Sequence, residues 1–290
     1  MTSSVPPRRP AGAPRRPSAR QAALRRHRNR TAGIIFVASV VVVAAVFVGV
    51  KALTGTATPA ADFPTGAASA QVVAAVTTMP LAQQLAAAQT THTVAPSPVQ
   101  GPTLTMGGKP EVLYIGAEFC PYCAAQRWAL VSALSHFGTW SGLEVTHSSS
   151  TDAYPNTPTL SFRSATYTSP YLSFRAVEET TNKACQPGSP GCASNGYQLL
   201  QEPTAAEQQL LNTYDQKGSI PFIDLCGTDV LVGASYDPQV LAGQTPEQVA
   251  KCLGQPKTAD AHEIGAAAAA ITRSLCQVTG GMLTRTCSSL

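Results

Sequence analysis

Hydrophobic and polar positions divide the chain into four stretches. Residues 1–31 show no apolar periodicity. Ala32 to Val50 then reads AGIIFVASVVVVAAVFVGV, nineteen residues without a charge, closed by Lys51. At ~1.5 Å of rise per residue, that length matches a bilayer's hydrocarbon core. It predicts a transmembrane helix over 32–53. Residues 54–107 are rich in Ala, Thr, Pro and Gly and read as a linker, with short helices over 71–76 and 81–89. From residue 108 onward, apolar residues recur at the spacings of strands and helices, which predicts a folded domain over 108–290.

Within that domain, Glu111 to Gly116 (EVLYIG) is a short strand pattern, and Ala124 to Phe137 a helix with Trp128, Val131 and Leu134 on one face. Leu143 to Ser148, Thr159 to Tyr167 and Tyr171 to Glu178 alternate like strands, and LSFR recurs in the last two. Thr204 to Tyr214 is a helix opened by a capping box, Thr204 with Glu207. Ile220–Leu225 and Val230–Ala234 flank Gly227-Thr-Asp229, a hairpin signal. Thr245-Pro246-Glu247 starts another helix, and Ala261 to Cys276 is Ala-rich and helical. The order of elements predicts an α/β sandwich with helices on a mixed sheet.

Charge sharpens the division. The net charge of +4 arises wholly at the N-terminus, because residues 1–31 hold nine Arg and no acid. Residues 52–290 hold ten Lys or Arg against sixteen Asp or Glu. A nucleic-acid partner is therefore not expected, and the Arg run predicts a disordered basic tail on the cytoplasmic side of the span. The domain then lies outside the cytoplasm. A cleaved signal peptide carries a shorter apolar core and a shorter basic region, and a buried soluble helix carries a polar face. A single-pass anchor fits better than either.

All eight cysteines follow the apolar span, and an even count outside a membrane suggests disulfides. Cys185 and Cys192 bracket the turn-rich QPGSPG, and Cys276 and Cys287 bracket Gly280-Gly281. Cys226 and Cys252 are left to pair with each other. A zinc knuckle would need a second close pair to complement Cys120 and Cys123, and none has that spacing. His92, His136, His147 and His262 lack metal spacing too, so no metal or other cofactor is expected.

Phe119-Cys120-Pro121-Tyr122-Cys123 sits between the strand and the helix. That placement puts Cys120 at a helix N-terminus, where backbone N–H groups and the helix dipole favour the thiolate, the species that attacks disulfides. Cys123, one turn inside, is placed to resolve a mixed disulfide. Pro121 stiffens the turn and donates no competing hydrogen bond. Ile220-Pro221, ahead of a strand, resembles the cis-proline element that orients substrate in thioredoxin-type folds. Tyr122 lies between the cysteines as a contact residue. Glu118 either tunes proton transfer or is a surface carboxylate; Arg127 reads as solvated or salt-bridged.

The stretches GKPEVLYIGAEFCPYCAAQRW, STDAYPNTPTLSFRSATYTSPYLSF and IPFIDLCG resemble the DUF929 family of membrane-anchored, thioredoxin-like proteins, over about residues 70–290. The resemblance implies a thioredoxin-like sandwich preceded by one transmembrane helix, with thiol–disulfide exchange as its activity. About a hundred residues separate Cys120 from Pro221, so a large insertion lies between the Cys-x-x-Cys helix and the cis-proline strand. Two departures from the thioredoxin pattern stand out. The buried Asp six residues before the first cysteine is Tyr114 here, and the Trp just before that cysteine is Phe119.

The expected function is a membrane-anchored extracytoplasmic thiol–disulfide oxidoreductase, with Cys120 as nucleophile and Cys123 as resolving thiol. The compartment and the missing Asp favour an oxidase or isomerase over a reductase. Its partners would be thiols and disulfides of extracytoplasmic client proteins, the membrane, and a membrane redox partner. The alternative is a non-catalytic thioredoxin-like binding module of the envelope whose cysteines are all structural; soft-metal handling by the two thiols is a weaker third reading.

Overall fold

The computed structural model describes residues 63–280 and 284–288. The expected tail and membrane helix over 1–53 lie outside the described residues, among which no helix is long and apolar enough to cross a membrane.

Helices α1 (Ala70–Thr77) and α2 (Leu81–Thr90) precede strand β1 (Lys109–Gly116) and helix α3 (Pro121–Leu134). Strands β2 (Glu144–His147), β3 (Pro158–Ser161), β4 (Ser173–Glu178), β5 (Thr180–Ala184) and β6 (Tyr197–Leu199) follow. Helix α4 (Ala205–Tyr214), strands β7 (Phe222–Leu225) and β8 (Asp229–Val232), and helices α5 (Pro246–Leu253), α6 (Ala259–Val278) and α7 (Thr284–Cys287) complete the order.

The protein is mixed α/β. Its main sheet centres on β1, which pairs antiparallel with β7 on one side and parallel with β4 on the other. β8 pairs with β7 beyond, giving the order β8-β7-β1-β4. Alternation along β1 explains the layers. Val112 and Tyr114 enter a large core with α1, α3, α5 and α6, whereas Leu113 and Ile115 enter a smaller one with Leu211 of α4 and Phe222. The β7–β8 turn uses Cys226 and Gly227 at positive φ. A Cβ on Gly227 would collide with the Pro102 carbonyl, so only glycine fits there.

Residues 63–107 are not a linker. The two short helices form, but Val72, Val76 and Met79 are buried in the main core. Ser97–Pro98 pairs with β8, and Thr105–Met106 forms a hairpin with the start of β1. The small residues that suggested a flexible tether permit close helix packing instead. A Cβ on Gly265 of α6 would lie 3.3 Å from that of Ala87 on α2.

The LSFR repeat is not a structural repeat. β3 ends at Ser161 and pairs with β2 in a separate sheet, while β4 begins at Ser173 and joins the main one. The two phenylalanines meet across the fold: Phe162 and Phe174 pack edge-on at 5.0 Å, both against Trp140. The capping boxes at Thr204/Glu207 and Thr245/Gln248 form as local chemistry dictates.

Candidate functional site

The site is built where β1 hands over to α3. Cys120 is the N-cap of α3 in extended conformation, and Pro121 occupies the first turn, where a missing N–H costs nothing. The Cys120 Sγ accepts from the Cys123 N–H at 3.4 Å. The same sulfur lies 3.8 Å from the Ile220 carbonyl oxygen, 100 positions along the chain. The Ile220–Pro221 peptide bond is cis. Cys120, Cys123 and Ile220–Pro221 are thus brought together. Cys120 keeps 5% of its surface exposed and Cys123 none. Among the described residues, no protein group accepts from the Ile220 N–H.

The two sulfurs are electrostatically unlike. The Cys123 thiol donating to Cys120 pulls the Cys120 pKa below its ordinary value; burial opposes this, and backbone N–H groups and the Arg127 charge assist. Burial, with the Cys120 sulfur beside it, holds Cys123 well above its ordinary value. The outer sulfur therefore ionises first.

Beneath the pair lies Arg127, one helical turn past Cys123 and fully buried. Its Nε and Nη2 donate to both oxygens of Glu178 on β4, at 2.9 and 2.6 Å, and Nη2 also donates to the Ala117 carbonyl at 2.9 Å. Its Nη1 has no partner. The guanidinium stands 5.6 Å over the Tyr114 ring. The Tyr114 hydroxyl is buried without a hydrogen-bond partner and interacts electrostatically with Cys123. The ring runs back over Gly116, where a Cβ would come within 2.5 Å of its Cζ. Glycine at 116 is what leaves room for the phenol.

Aromatic side chains form the rim. Tyr122 is 42% exposed and meets Tyr154 edge-on at 5.8 Å. Phe119 stacks on Tyr197 of β6 at 4.4 Å with rings nearly parallel. Tyr197 Oη donates to Ser149 Oγ at 2.7 Å, and the Ser149 N–H donates to the Phe119 carbonyl. The β5–β6 hairpin, closed by Cys185–Cys192, is thereby tied to the residue preceding Cys120. Glu118 is not a surface carboxylate: it is 5% exposed and accepts from Ser161 Oγ at 2.8 Å. It lines a polar cleft of about 220 Å³ with Glu144, Arg163 and Lys183.

The remaining cysteines divide differently from expectation. Cys185–Cys192 and Cys276–Cys287 are bonded, but Cys226 and Cys252 are not. Cys226 is sealed in the main core at the β7–β8 turn, while Cys252 sits half-buried on α5, whose buried face is Val249, Ala250 and Leu253. Burial, with nearby carboxylates, pushes the Cys226 thiol up to about 12. The sequence left Arg127 as either solvated or salt-bridged; the structure makes it a buried salt bridge beside the two sulfurs. Its signal was available: PYCAAQRWALVSAL carries one charged residue, and that residue faces a core. Among the described residues, no group of three or more His, Cys, Asp or Glu is gathered to hold a metal ion.

No curated protein and no solved structure matches this chain. The model of a domain of unknown function, DUF929, matches residues 96–277. That span contains β1, the Cys-x-x-Cys helix, the β5–β6 hairpin and the strand after the cis Ile220–Pro221 bond, and the chain belongs to the DUF929 family.

Proposed function

We infer that this protein is a thiol–disulfide oxidoreductase of the thioredoxin-like type, anchored by residues 32–53 with its domain outside the cytoplasm. The single observation that carries the reading is the meeting of Cys120, at a helix N-cap, with the cis Ile220–Pro221 bond. The order β8-β7-β1-β4, with β4 parallel and β7 and β8 antiparallel, supports the thioredoxin-like assignment.

Cys120 is the nucleophile or the attacked sulfur, and Cys123 its buried partner. The unpaired Ile220 N–H offers an extended client chain a backbone hydrogen bond beside the reacting sulfur. The lowered Cys120 pKa stabilises the reduced pair and so favours disulfide donation. A disulfide-bearing membrane partner would restore the oxidised pair. Residues 1–31 would lie on the cytoplasmic face.

The test is trapping. With Cys123→Ala in cells, clients remain covalently attached to Cys120, and Cys120→Ser abolishes the adducts. Identical adduct patterns in both variants would refute the reading. The 5% exposure of Cys120 favours a second reading, a non-catalytic module with a permanent Cys120–Cys123 bond. Resistance of that bond to mild reductant under native conditions would establish it.

A further inference from the structure

A fully buried ion pair beneath a reactive pair of sulfurs needs a reason. Apolar residues of similar volume would serve stability as well or better. The Arg127–Glu178 pair is 0% and 1% exposed, and two polar atoms beside it are unspent: Arg127 Nη1 and the Tyr114 hydroxyl. Leaving buried donors unmade is costly. Both belong to groups that interact with Cys123, whose own sulfur is sealed. Glu178, clamped by two hydrogen bonds, holds the guanidinium in place, and Gly116 admits the phenol.

We propose that Tyr114 and Arg127 form a built receptor for negative charge on Cys123: the phenol hydrogen-bonds the sulfur when it becomes a thiolate, and the guanidinium supplies the counter-charge. This rests on the thiol–disulfide reading and names the groups that drive it. A client thiolate attacks the Cys120 Sγ, and a client–Cys120 bond forms. The Cys120–Cys123 bond breaks, and Cys123 departs with the electron pair as a buried thiolate. It then takes up the proton released when the client thiol ionised. The client sulfur is oxidised to the mixed disulfide and the Cys120–Cys123 disulfide is reduced. A better-stabilised leaving thiolate departs faster. A carboxylate at position 114, by contrast, would repel the charge that this neutral donor receives. Arg127 is a positioning and electrostatic residue; Tyr114 is the donor this proposal assigns to the departing sulfur.

The test uses the full chain with Cys120→Ser, so that Cys123 titrates alone, followed by thiolate ultraviolet absorbance against pH. Adding Tyr114→Phe deletes an oxygen that has no partner, so the unfolding midpoint stays level or rises. Half-ionisation of Cys123 nevertheless moves up by about one pH unit, the worth of one hydrogen bond to a charged group. Arg127→Met with Glu178→Met removes both charges together and moves it further the same way. An unmoved titration in a folded Tyr114→Phe protein overturns the proposal, as does a Cys123 in the Cys120→Ser parent that fails to ionise before the chain unfolds. A shifted titration together with an absence of client adducts on Cys120 would leave the receptor standing and sink the oxidoreductase reading instead.

Discussion

Replacing Arg127 with Met leaves the Glu178 carboxylate buried without its counter-charge. The side chains are 0% and 1% exposed, and three hydrogen bonds vanish: two to Glu178 and one to the Ala117 carbonyl. Breaking one side of a fully buried pair costs about 3–5 kcal/mol, a large share of the roughly 5–15 kcal/mol that holds a typical domain together. Arg127→Met with Glu178→Met leaves no stranded charge and should recover most of that loss. The pH dependence separates charge from lost packing. Burial already holds the Glu178 pKa above its ordinary value even with Arg127 pulling it down; without Arg127 it rises further. A carboxyl whose folded pKa exceeds its unfolded value binds more protons in the folded state. The penalty is therefore full at high pH and fades as pH falls through the folded pKa toward the ordinary value. Urea unfolding followed by Trp fluorescence at pH 7 and pH 5 measures this, with the slope checked for constancy. A single-variant cost under about 1 kcal/mol, or a cost that grows as pH falls, would refute the buried-pair account.

Native alkylation of the reduced protein against pH should show Cys120 half-reacting below the ordinary thiol value of 9.0, with Cys123 silent until unfolding; equal reactivity would contradict the N-cap assignment. Non-reducing peptide mapping should find Cys185–Cys192 and Cys276–Cys287 bonded and Cys226 and Cys252 as thiols, Cys226 reacting only after denaturation. Tyr197→Ala removes a stacked pair worth about 0.5–1.5 kcal/mol and should speed amide exchange across residues 180–199 by up to about tenfold. Unchanged protection there would mean the hairpin is not held by Phe119.

Several features were legible along the chain because they depend on neighbours in sequence. The capping box at Thr204, the helix start at Thr245-Pro246, the Cys120 N-cap with Pro121 behind it, and the β7–β8 hairpin are local chemistry. The two short disulfide loops are likewise local, because ends seven and eleven positions apart meet readily. Elimination failed for Cys226 and Cys252, since two leftover thiols need not be neighbours in space.

What the chain order could not reveal depends on packing between distant elements. Composition made residues 63–107 look like a tether, yet the apolar face of α1 and the small residues of α2 are core; burial is set by which surface comes to meet a segment. LSFR occurs twice with identical letters, but one copy ends a strand of a separate small sheet and the other opens a strand that pairs in parallel with β1 in the main one. Arg127 carries the same charge in any sequence. Only a strand placing Glu178 within 2.6 Å, and another placing Tyr114 beneath its guanidinium, turn it into a buried partner of the two sulfurs. The sequence alone determined which atoms could react. The tertiary fold decided which charges they react beside, because electrostatic coupling falls with distance and dielectric screening, and both are properties of the assembled fold.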